Sequence, residues 1–318
     1  MKFIGGFFEL ELPHSGSQLH PQAHALSTGR ACMMVMLRHL APSRVHVPFY
    51  TCDAALEPFV RLGIETTFYA LDESLFPQKL PDLVEGEYIL WIDYFGVCGE
   101  HTQRIKERFG AKALLDDTHA FFRTGHPGHW SFTSARKYFG VPDGAFLYAP
   151  VPLDVQAERF KDISLTHGLL RRFGRQKEAF EAFKLYERSL GCSVYRISEV
   201  SEGMLRGVDI TRVAEARYRN FGYLHSALGK HNQLQLPLNQ VSDVPFCYPY
   251  LPNSPINRNS LYANGIFIPS LWLDTCTRNV DGFAFEKHIS RELLPLPIDH
   301  RYTPADLQRM VNYLVSAL

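Results

Sequence analysis

The first half of the chain alternates short apolar runs with segments whose apolar residues recur at helical spacing. Each run is about as long as one strand, so strands are predicted over residues 45–48, 65–71, 88–94, 112–116 and 144–148. The run at 88–94 is almost continuously apolar, which is typical of a strand buried on both faces. Helices are predicted between strands over Asp53–Leu62 and over residues 102–109, each followed by a glycine. This alternation predicts an α/β fold in which helices cover both faces of a mostly parallel sheet.

The second half of the chain carries longer amphipathic segments. A charged segment over residues 171–190 has its large apolar side chains on one helical stripe, which indicates an amphipathic helix. A further amphipathic helix is predicted over residues 213–228. Three polar residues on this helix are expected on its solvated face: Arg217, Arg219 and Asn220.

The last helix of the chain has the clearest boundary. Thr303 is the predicted cap, Pro304 occupies the first helical position, and Asp306 lies three residues after the cap. Four apolar residues then recur at helical spacing: Leu307, Met310, Val311 and Leu314. The change of pattern between the two halves predicts a large domain over residues 1–205 and a small C-terminal α+β domain over 206–318.

Composition narrows the class of protein. The 318 residues include 33 Lys+Arg and 33 Asp+Glu, so there is no basic surplus to attract nucleic acid, and a nucleic-acid partner is not expected. No apolar run approaches the roughly 20 residues of a membrane span, so no membrane association is expected. The first residues contain Glu9 and Glu11 within an apolar stretch, which is unlike a secretory signal. The six cysteines lack CxxC spacing, so we predict neither a metal site nor a disulfide framework, in keeping with a cytoplasmic protein.

One lysine stands in a context that suits covalent chemistry. Lys137 follows a strand-like segment, within SFTSARKYFGVPDG, and Ser134 precedes it by three residues. A lysine held near a carbonyl cofactor can bind it covalently if its amine readily loses a proton, and a neighbouring hydroxyl can bind a phosphate. The alternative is a surface lysine in a polar loop.

Two further segments could bind a ligand. Asp116 ends a predicted buried strand, where its carboxylate can keep a ring nitrogen protonated, and His119 can point to the same side. Small polar residues at 27–29 precede an apolar helix, whose free N–H groups can bind a phosphate. The alternative in both cases is a structural cap. Taken in order, a phosphate site, a strand-end aspartate and a lysine are the three anchoring needs of pyridoxal 5′-phosphate (PLP).

At this point the chain resembles the DegT/StrS family of PLP-dependent sugar aminotransferases. The resemblance runs in order through most of the chain. It is carried by the segments STGRAC, VPFYTCDAALEP, IDYFGVCG, LDDTHA, SARKYFGVPDGA and LLPLPIDHRYTPADL. It implies a PLP-transferase fold of the aspartate-aminotransferase type, with the cofactor bound in the large domain.

The resemblance also implies a role for each site residue. Lys137 would bind the cofactor covalently and Asp116, rather than Asp117, would hold its ring nitrogen. His119 would contact the ring hydroxyl. The phosphate would be bound by backbone amides and a hydroxyl: those of Gly29 and Arg30, with Ser131 or Ser134. An aromatic residue usually stacks on the cofactor in this family. Here Cys52 falls near that position, with Tyr50 beside it.

The activity implied is transfer of an amino group from an amino acid to a nucleotide-linked keto sugar, in surface polysaccharide or amino-sugar synthesis. A homodimer is implied as well, although no copy of the family's Asn-x-Arg segment is found. Two alternatives stay open: a PLP-dependent dehydratase or lyase, and a non-catalytic descendant that binds a sugar nucleotide or a partner protein. His126 and His129 are expected to be loop residues, and Arg136 either binds an anion or forms a salt bridge.

Overall fold

A seven-stranded sheet forms the centre of the computed structural model, which describes residues 10–16, 18–236, 238 and 243–316. Its strands are β1 (His24–Leu26), β2 (Arg44–Pro48), β3 (Glu65–Tyr69), β4 (Glu87–Ile92), β5 (Ala113–Asp116), β6 (Trp130–Ser134) and β7 (Ala145–Tyr148). They are ordered β1-β7-β6-β5-β4-β2-β3. Strands β2 to β6 run parallel, and β7 runs antiparallel to both β6 and β1. The predicted α/β class and mostly parallel sheet are confirmed.

Eleven helices are described around this sheet. They are α1 (Gly29–Leu40), α2 (Asp53–Leu62), α3 (Gly99–Phe109), α4 (Thr166–Arg172), α5 (Gln176–Ser189), α6 (Glu199–Arg206), α7 (Ile210–Leu228), α8 (Arg258–Ala263), α9 (Asp274–Thr277), α10 (Ala284–Glu292) and α11 (Pro304–Ser316). A two-stranded antiparallel sheet of β8 (Tyr248–Tyr250) and β9 (Leu294–Leu296) completes the elements. Within the described part of the chain, no helix combines the length and apolarity that crossing a membrane requires. The initial apolar stretch, which is unlike a secretory signal, lies largely outside the described residues.

The first predicted helix matches the structure at both ends. Helix α2 spans Asp53–Leu62, and Gly63 ends it in the left-handed conformation at φ 66°. The five predicted strands are also present, each within two residues of its predicted limits. Strand β1 was not predicted, because three residues are too few to show a period.

The prediction of a single amphipathic helix over residues 171–190 is wrong. The structure has two helices there, α4 and α5, separated by Phe173–Arg175. Gly174 lies at φ 77°, which a helix does not allow, so the chain turns back on itself. As a result Phe173 is 74% exposed, whereas Tyr186, further along the predicted stripe, is buried.

The solvated face predicted for α7 is wrong at two of its three positions. Arg217 is 2% exposed, and its guanidinium donates to the backbone oxygens of Pro245 and Phe246 at 3.0 and 2.8 Å. Asn220 is 1% exposed and donates to the backbone oxygen of Ile298 at 3.0 Å. Only Arg219 is exposed as predicted. Carbonyl groups from distant loops satisfy these buried side chains, and a helical pattern does not reveal such partners.

The cap of α11 forms as predicted. The Thr303 N–H donates to Asp306 Oδ2 at 2.9 Å, and the Asp306 N–H donates back to Thr303 Oγ1 at 3.3 Å. The four apolar residues of the predicted stripe are buried: Leu307, Met310, Val311 and Leu314. This reciprocal pairing satisfies backbone donors that the first turn of a helix leaves free.

Two large hydrophobic clusters lie on the two faces of the sheet. One face, called the α1 face, packs α1 residues such as Met33 and Met36 against Leu114 and Phe132. The opposite cluster joins Trp91 and Leu115 of the sheet with residues of the second half, including Phe221, Leu224 and Leu314. Because this cluster is shared between the two halves, the boundary at 205/206 and the small C-terminal domain stay predictions.

Candidate functional site

Three of the predicted site residues lie where strands end and α1 begins. Strand β5 ends at Asp116, and β6 leads into a short 3₁₀ turn, Ala135–Lys137. Carboxyl ends of parallel strands share one edge of a sheet, and ligands bind at such edges. The first residue of α1 lies against the same edge, because a Cβ built on Gly29 would be 3.4 Å from the Phe132 ring and 3.7 Å from Thr118 Cγ2.

Asp116 is a buried carboxylate on the α1 face. It follows Leu114 by two residues, and its charge raises the pKa of Cys32 in α1 further than burial alone does. Its Oδ1 accepts the Thr118 N–H at 2.9 Å. Burial raises the pKa of Asp116 to about 6, while the hydrogen bonds from Thr118 and the Lys137 ammonium act in the opposite direction.

Lys137 is exposed, and its charge affects the pKa of three predicted site residues. Its ammonium acts on the pKa of Asp116 and, after the effect of burial, lowers the pKa of the His119 imidazole. It also opposes the rise in pKa that burial imposes on the Cys52 thiol. The structure therefore brings Lys137 within electrostatic reach of Asp116, His119 and Cys52.

Asp117, which is not the aspartate predicted to hold the ring nitrogen, belongs to a separate charge cluster. Arg123 donates to its Oδ1 at 2.9 Å and to Asp93 at 2.7 Å, and it also pairs with Asp243. His126 is hydrogen-bonded to Oδ2 of Asp117 at 2.9 Å. Burial works against ionisation, yet the charges of Arg123 and His126 hold the pKa of Asp117 below its ordinary value. His126 is thus a loop residue whose buried side chain is bonded to Asp117, whereas His129 Nδ1 is hydrogen-bonded to the Pro127 backbone oxygen in the same loop.

His119 lies in a stack of aromatic rings. Its ring is nearly parallel to Phe246, with centroids 4.4 Å apart, and to Trp272 at 5.6 Å. The Phe95 N–H donates to its Nδ1 at 3.3 Å. Burial, followed by the Lys137 charge, puts the pKa of His119 well below its ordinary value, so the ring is neutral.

The strand alternation separates the two predicted serines. Trp130 and Phe132 both pack into the α1 face, so Ser134 faces that side and Ser131 faces the other. Ser134 Oγ donates to the Gly144 backbone oxygen at 3.4 Å, a long hydrogen bond. Ser131 Oγ is buried and has no hydrogen-bond partner among the described residues. The structure therefore brings Ser134, and not Ser131, to the face that carries Asp116.

The first turn of α1 leaves donors for an anion. Thr28 Oγ1 accepts the Ala31 N–H at 3.0 Å, and the Cys32 N–H bonds to the Thr28 oxygen. The N–H groups of Gly29 and Arg30 have no partner within the helix, as expected for a first turn. The Arg30 side chain is occupied by an ion pair with Glu57 at 2.7 Å, so its backbone amide is the part of it that can serve an anion.

Tyr50 and Cys52 lie in the loop after β2. Tyr50 is fully buried, its ring is inclined 24° to Tyr94 with centroids 5.6 Å apart, and its hydroxyl has no partner in the described part of the chain. Arg278 binds the same loop: it donates to the Phe49 and Thr51 oxygens at 2.7 Å each. Neither Arg278 nor Trp272 is predicted as a site residue from the sequence, and no local motif marks either of them.

Trp272 also has an unusual backbone. Its φ is 56°, a region that bulky residues rarely adopt. Its ring meets Tyr50 edge-on at 4.5 Å, so it joins the His119 stack to the loop after β2. Of the alternatives for Arg136, the structure has the salt bridge, with Glu187. Among the described residues, no group of three or more His, Cys, Asp or Glu side chains is arranged to hold a metal ion.

The donor set fits PLP. The free amides of Gly29 and Arg30 and the Ser134 hydroxyl suit a phosphate, the Asp116 carboxylate suits a protonated ring nitrogen, and the Lys137 amine suits an aldehyde. Asp116 can take this part because Arg123 is committed to Asp117.

Comparison with known proteins supports the same fold. The chain matches no protein-family model and no curated protein sequence. It is similar to a solved DegT DnrJ EryC1 StrS aminotransferase from Brucella abortus, at 17% identity and a TM-score of 0.63, covering 92% of this chain and 85% of that one. The sugar aminotransferase CalS13 from Micromonospora echinospora is 13% identical to the chain, with a TM-score of 0.63. The match covers 94% of this chain and 88% of that one. The sugar aminotransferase Spr1654 from Streptococcus pneumoniae, in its PLP-form, is 12% identical, with a TM-score of 0.64. The match covers 94% of this chain and 87% of that one. The chain thus has the fold of the DegT/DnrJ/EryC1/StrS sugar aminotransferases.

Proposed function

We propose that this protein is a PLP-dependent aminotransferase that transfers an amino group from an amino acid to a keto sugar. One observation carries the proposal: a buried carboxylate, Asp116, lies within electrostatic reach of an exposed amine, Lys137, at the sheet edge where α1 begins. A carboxylate and an amine at a strand edge, beside a helix N-terminus, match the three anchors of PLP.

Each residue then has a defined part. When bound, PLP supplies an electron sink that stabilises negative charge on the carbon bearing the amino group. Lys137 Nζ would hold the cofactor at its aldehyde carbon, and the same amine would take a proton from the amino donor and return it as general base and acid. Asp116 keeps the ring nitrogen protonated. The Gly29 and Arg30 amides and the Ser134 hydroxyl bind the phosphate.

The acceptor is part of the proposal. A keto sugar carried by a nucleotide, and a place in surface polysaccharide or amino-sugar synthesis, are supported by the sequence resemblance. CalS13, which shares the fold, is a sugar aminotransferase. A homodimer is proposed on the same resemblance, and a cytoplasmic location is proposed on the six cysteines, which lack CxxC spacing.

A second candidate is a descendant of the fold that binds a sugar nucleotide or a partner protein without catalysis. The observation that favours it is the stack at His119, where Phe246 and Trp272 lie parallel to the ring that would contact the cofactor. If these rings hold His119 away from the cofactor, the protein would keep the fold without the chemistry.

The test is the absorption spectrum of the purified protein with PLP, before and after borohydride, followed by peptide mapping. We expect a visible band and a reduced adduct on Lys137. Lys137→Ala should remove both, whereas Lys79→Ala, which changes an exposed lysine distant in sequence, should keep both. No band, or an adduct spread equally over Lys79 and other surface lysines, would favour the non-catalytic candidate.

A product assay separates transamination from the dehydratase or lyase alternative. The loaded protein is incubated with an amino donor and a keto-sugar nucleotide. A new amine on the sugar supports the proposed reaction, and loss of water without nitrogen transfer supports the alternative.

A further inference from the structure

A buried carboxylate outside the proposed cofactor contacts lies in the loop before β7, residues 141–144. Asp143 is 0% exposed, and three neutral donors bind it. They are the Ser198 N–H at 2.8 Å, the Ser198 hydroxyl at 2.5 Å and the Ser201 hydroxyl. A buried charge is costly unless it is well hydrogen-bonded, so these donors are what allow a carboxylate here. All three belong to the start of α6.

Hydrogen bonds in both directions fix the loop before β7 to the start of α6. Ser198 caps α6, and its hydroxyl oxygen accepts the Ser201 N–H at 3.1 Å. The Asp143 N–H donates to the Ser201 hydroxyl oxygen at 3.2 Å. A Cβ on Gly144 would come within 2.9 Å of Ile197 Cδ1, so the loop packs directly on the residues before α6. Asp143 therefore joins two segments that are already in contact.

Both of these segments bind the backbone of Ser27, which lies just before the first turn of α1. The Gly144 N–H donates to the Ser27 oxygen at 2.7 Å. The Ser27 N–H donates to the oxygen of Tyr195, three residues before the cap of α6, at 2.9 Å. Asp143 closes this ring of contacts, because it links the neighbour of Gly144 to the segment that contains Tyr195. The start of α1 is thus held from two sides.

The same loop also contacts the other proposed phosphate donor. The Gly144 oxygen accepts the Ser134 hydroxyl at 3.4 Å and the Ala135 N–H at 3.0 Å. Gly144 therefore connects Ser134 with the start of α1, the two places proposed to bind the phosphate. Lys137 depends less on this loop, because the strand that leads to it is also held by the pairing of β6 with β7.

We propose that Asp143 is a positioning residue that keeps the two sets of phosphate donors in fixed positions relative to each other. This inference rests on the proposed function. Because its side chain is fully buried, Asp143 acts through Ser27 and Gly144. A binding group keeps its geometry only when the residues behind it are themselves held. Loss of Asp143 should therefore weaken binding of the phosphate more than binding of the pyridine ring.

The test compares the affinities of PLP and of pyridoxal, which lacks the phosphate, from the visible absorption of each bound compound. In Asp143→Ala the ratio of the two affinities should fall by about tenfold or more, because only PLP uses the displaced donors. Asp143→Asn should keep the ratio within about threefold of the wild type, since its amide can accept the Ser198 N–H and donate to the two hydroxyls. The control Glu286→Ala removes a buried carboxylate that accepts the Leu71 N–H, and should leave the ratio unchanged.

Amide hydrogen exchange without PLP gives a readout that does not depend on the cofactor. Asp143→Ala should accelerate exchange at Gly144 by about tenfold or more, because its bond to Ser27 loosens. Glu286→Ala should accelerate exchange at Leu71 and leave Gly144 as in the wild type. An unchanged Gly144 amide in Asp143→Ala would overturn the inference.

The binding results separate this inference from the proposed function. If the wild type binds PLP and Asp143→Ala keeps the wild-type ratio, Asp143 has no positioning role and the proposed function stands. If the wild type binds neither compound, the proposed function fails and the phosphate role of Asp143 fails with it. Should Asp143→Ala not fold, Ser201→Ala keeps the carboxylate and removes one donor. Its ratio should fall by about threefold or more, and an unchanged ratio would refute the inference.

Discussion

The guanidinium of Arg123 donates a 2.9 Å hydrogen bond to the carboxylate of Asp117, the residue next to Asp116. Consecutive residues of a strand point to opposite faces, so the two carboxylates serve different environments. Asp117 is neutralised within a charge cluster, and Asp116 is left facing α1 with a raised pKa. Asp116 is therefore the candidate for the ring nitrogen, because its neighbour Asp117 is already paired with Arg123.

Removal of Arg123 should destabilise the protein strongly. Arg123→Ala would leave Asp93 and Asp117, 0% and 3% exposed in their side chains, without their shared cation. Losing one partner of a buried ionic group typically costs about 3–5 kcal/mol of unfolding free energy. Urea denaturation measures this cost. The control Arg108→Ala breaks an exposed pair with Asp82 and should cost less than about 1 kcal/mol. Equal losses in the two variants would contradict the assignment of a buried cluster.

The raised pKa of Asp116 predicts a stability gain when its charge is removed. A carboxyl whose folded-state pKa lies above its unfolded value of 3.8 binds protons preferentially in the folded state, so stability falls as the pH rises from 3.8 to about 6. Above pH 6 this difference corresponds to about 3 kcal/mol at most. Asp116→Asn should therefore be more stable than the wild type at pH 7.5 when PLP is absent.

The measurement is thermal or urea unfolding of both proteins from pH 3.5 to 8. The advantage of Asp116→Asn should disappear below pH 3.8, where the wild-type carboxyl is protonated in both states. Asp82→Asn, at an exposed aspartate, should show no such gain. A wild type that is more stable than Asp116→Asn at pH 7.5 would show that the carboxylate is stabilised rather than strained by its surroundings.

The turn between α4 and α5 offers a matched pair of glycines. A Cβ on either Gly174 or Gly168 would meet no atom within 4 Å, but Gly174 has a φ of 77° and Gly168 lies inside α4. Gly174→Ala should destabilise the protein by about 1–2 kcal/mol because alanine disfavours a positive φ. Gly168→Ala should stabilise it by up to about 1 kcal/mol through helix propensity. Calorimetry of the two variants would disprove the turn if their effects had the same sign.

Local patterns were sufficient for the elements that bury a regular stripe or end at a strong signal. Helix α2 ends at Gly63, and α11 begins with the Thr303–Asp306 pairing, both as predicted. The candidate residues Asp116 and Lys137 were found because each follows an apolar run. Strand β1 was missed since three residues carry too little pattern.

Long-range contacts account for what the sequence did not reveal. Arg217 appeared solvated because the carbonyl groups that satisfy it come from residues 28 and 29 positions away. Arg278 and Trp272 reach the loop after β2 across more than 200 residues. The residue spacing around them does not predict this contact. Only the folded chain places them near Cys52 and His119.

The two candidate serines give the sharpest test of the proposed cofactor site. Ser134 shares the α1 face with Asp116, whereas Ser131 faces the opposite side of β6. A hydroxyl bonded to a charged phosphate contributes about 1.5–3 kcal/mol, so Ser134→Ala should weaken PLP binding by about 10-fold to 100-fold. Ser131→Ala should change PLP affinity less than about twofold, since the Ser131 hydroxyl does not reach that face.

Titration of each variant with PLP, followed by the visible absorption of the bound cofactor, gives the two affinities. Unfolding curves without PLP serve as the control, because a loss of stability shared by both variants would not distinguish them. If Ser131→Ala weakens PLP binding and Ser134→Ala does not, the phosphate lies on the other face of β6. Asp116 could then not be the partner of the ring nitrogen, because it would be separated from the phosphate by the sheet.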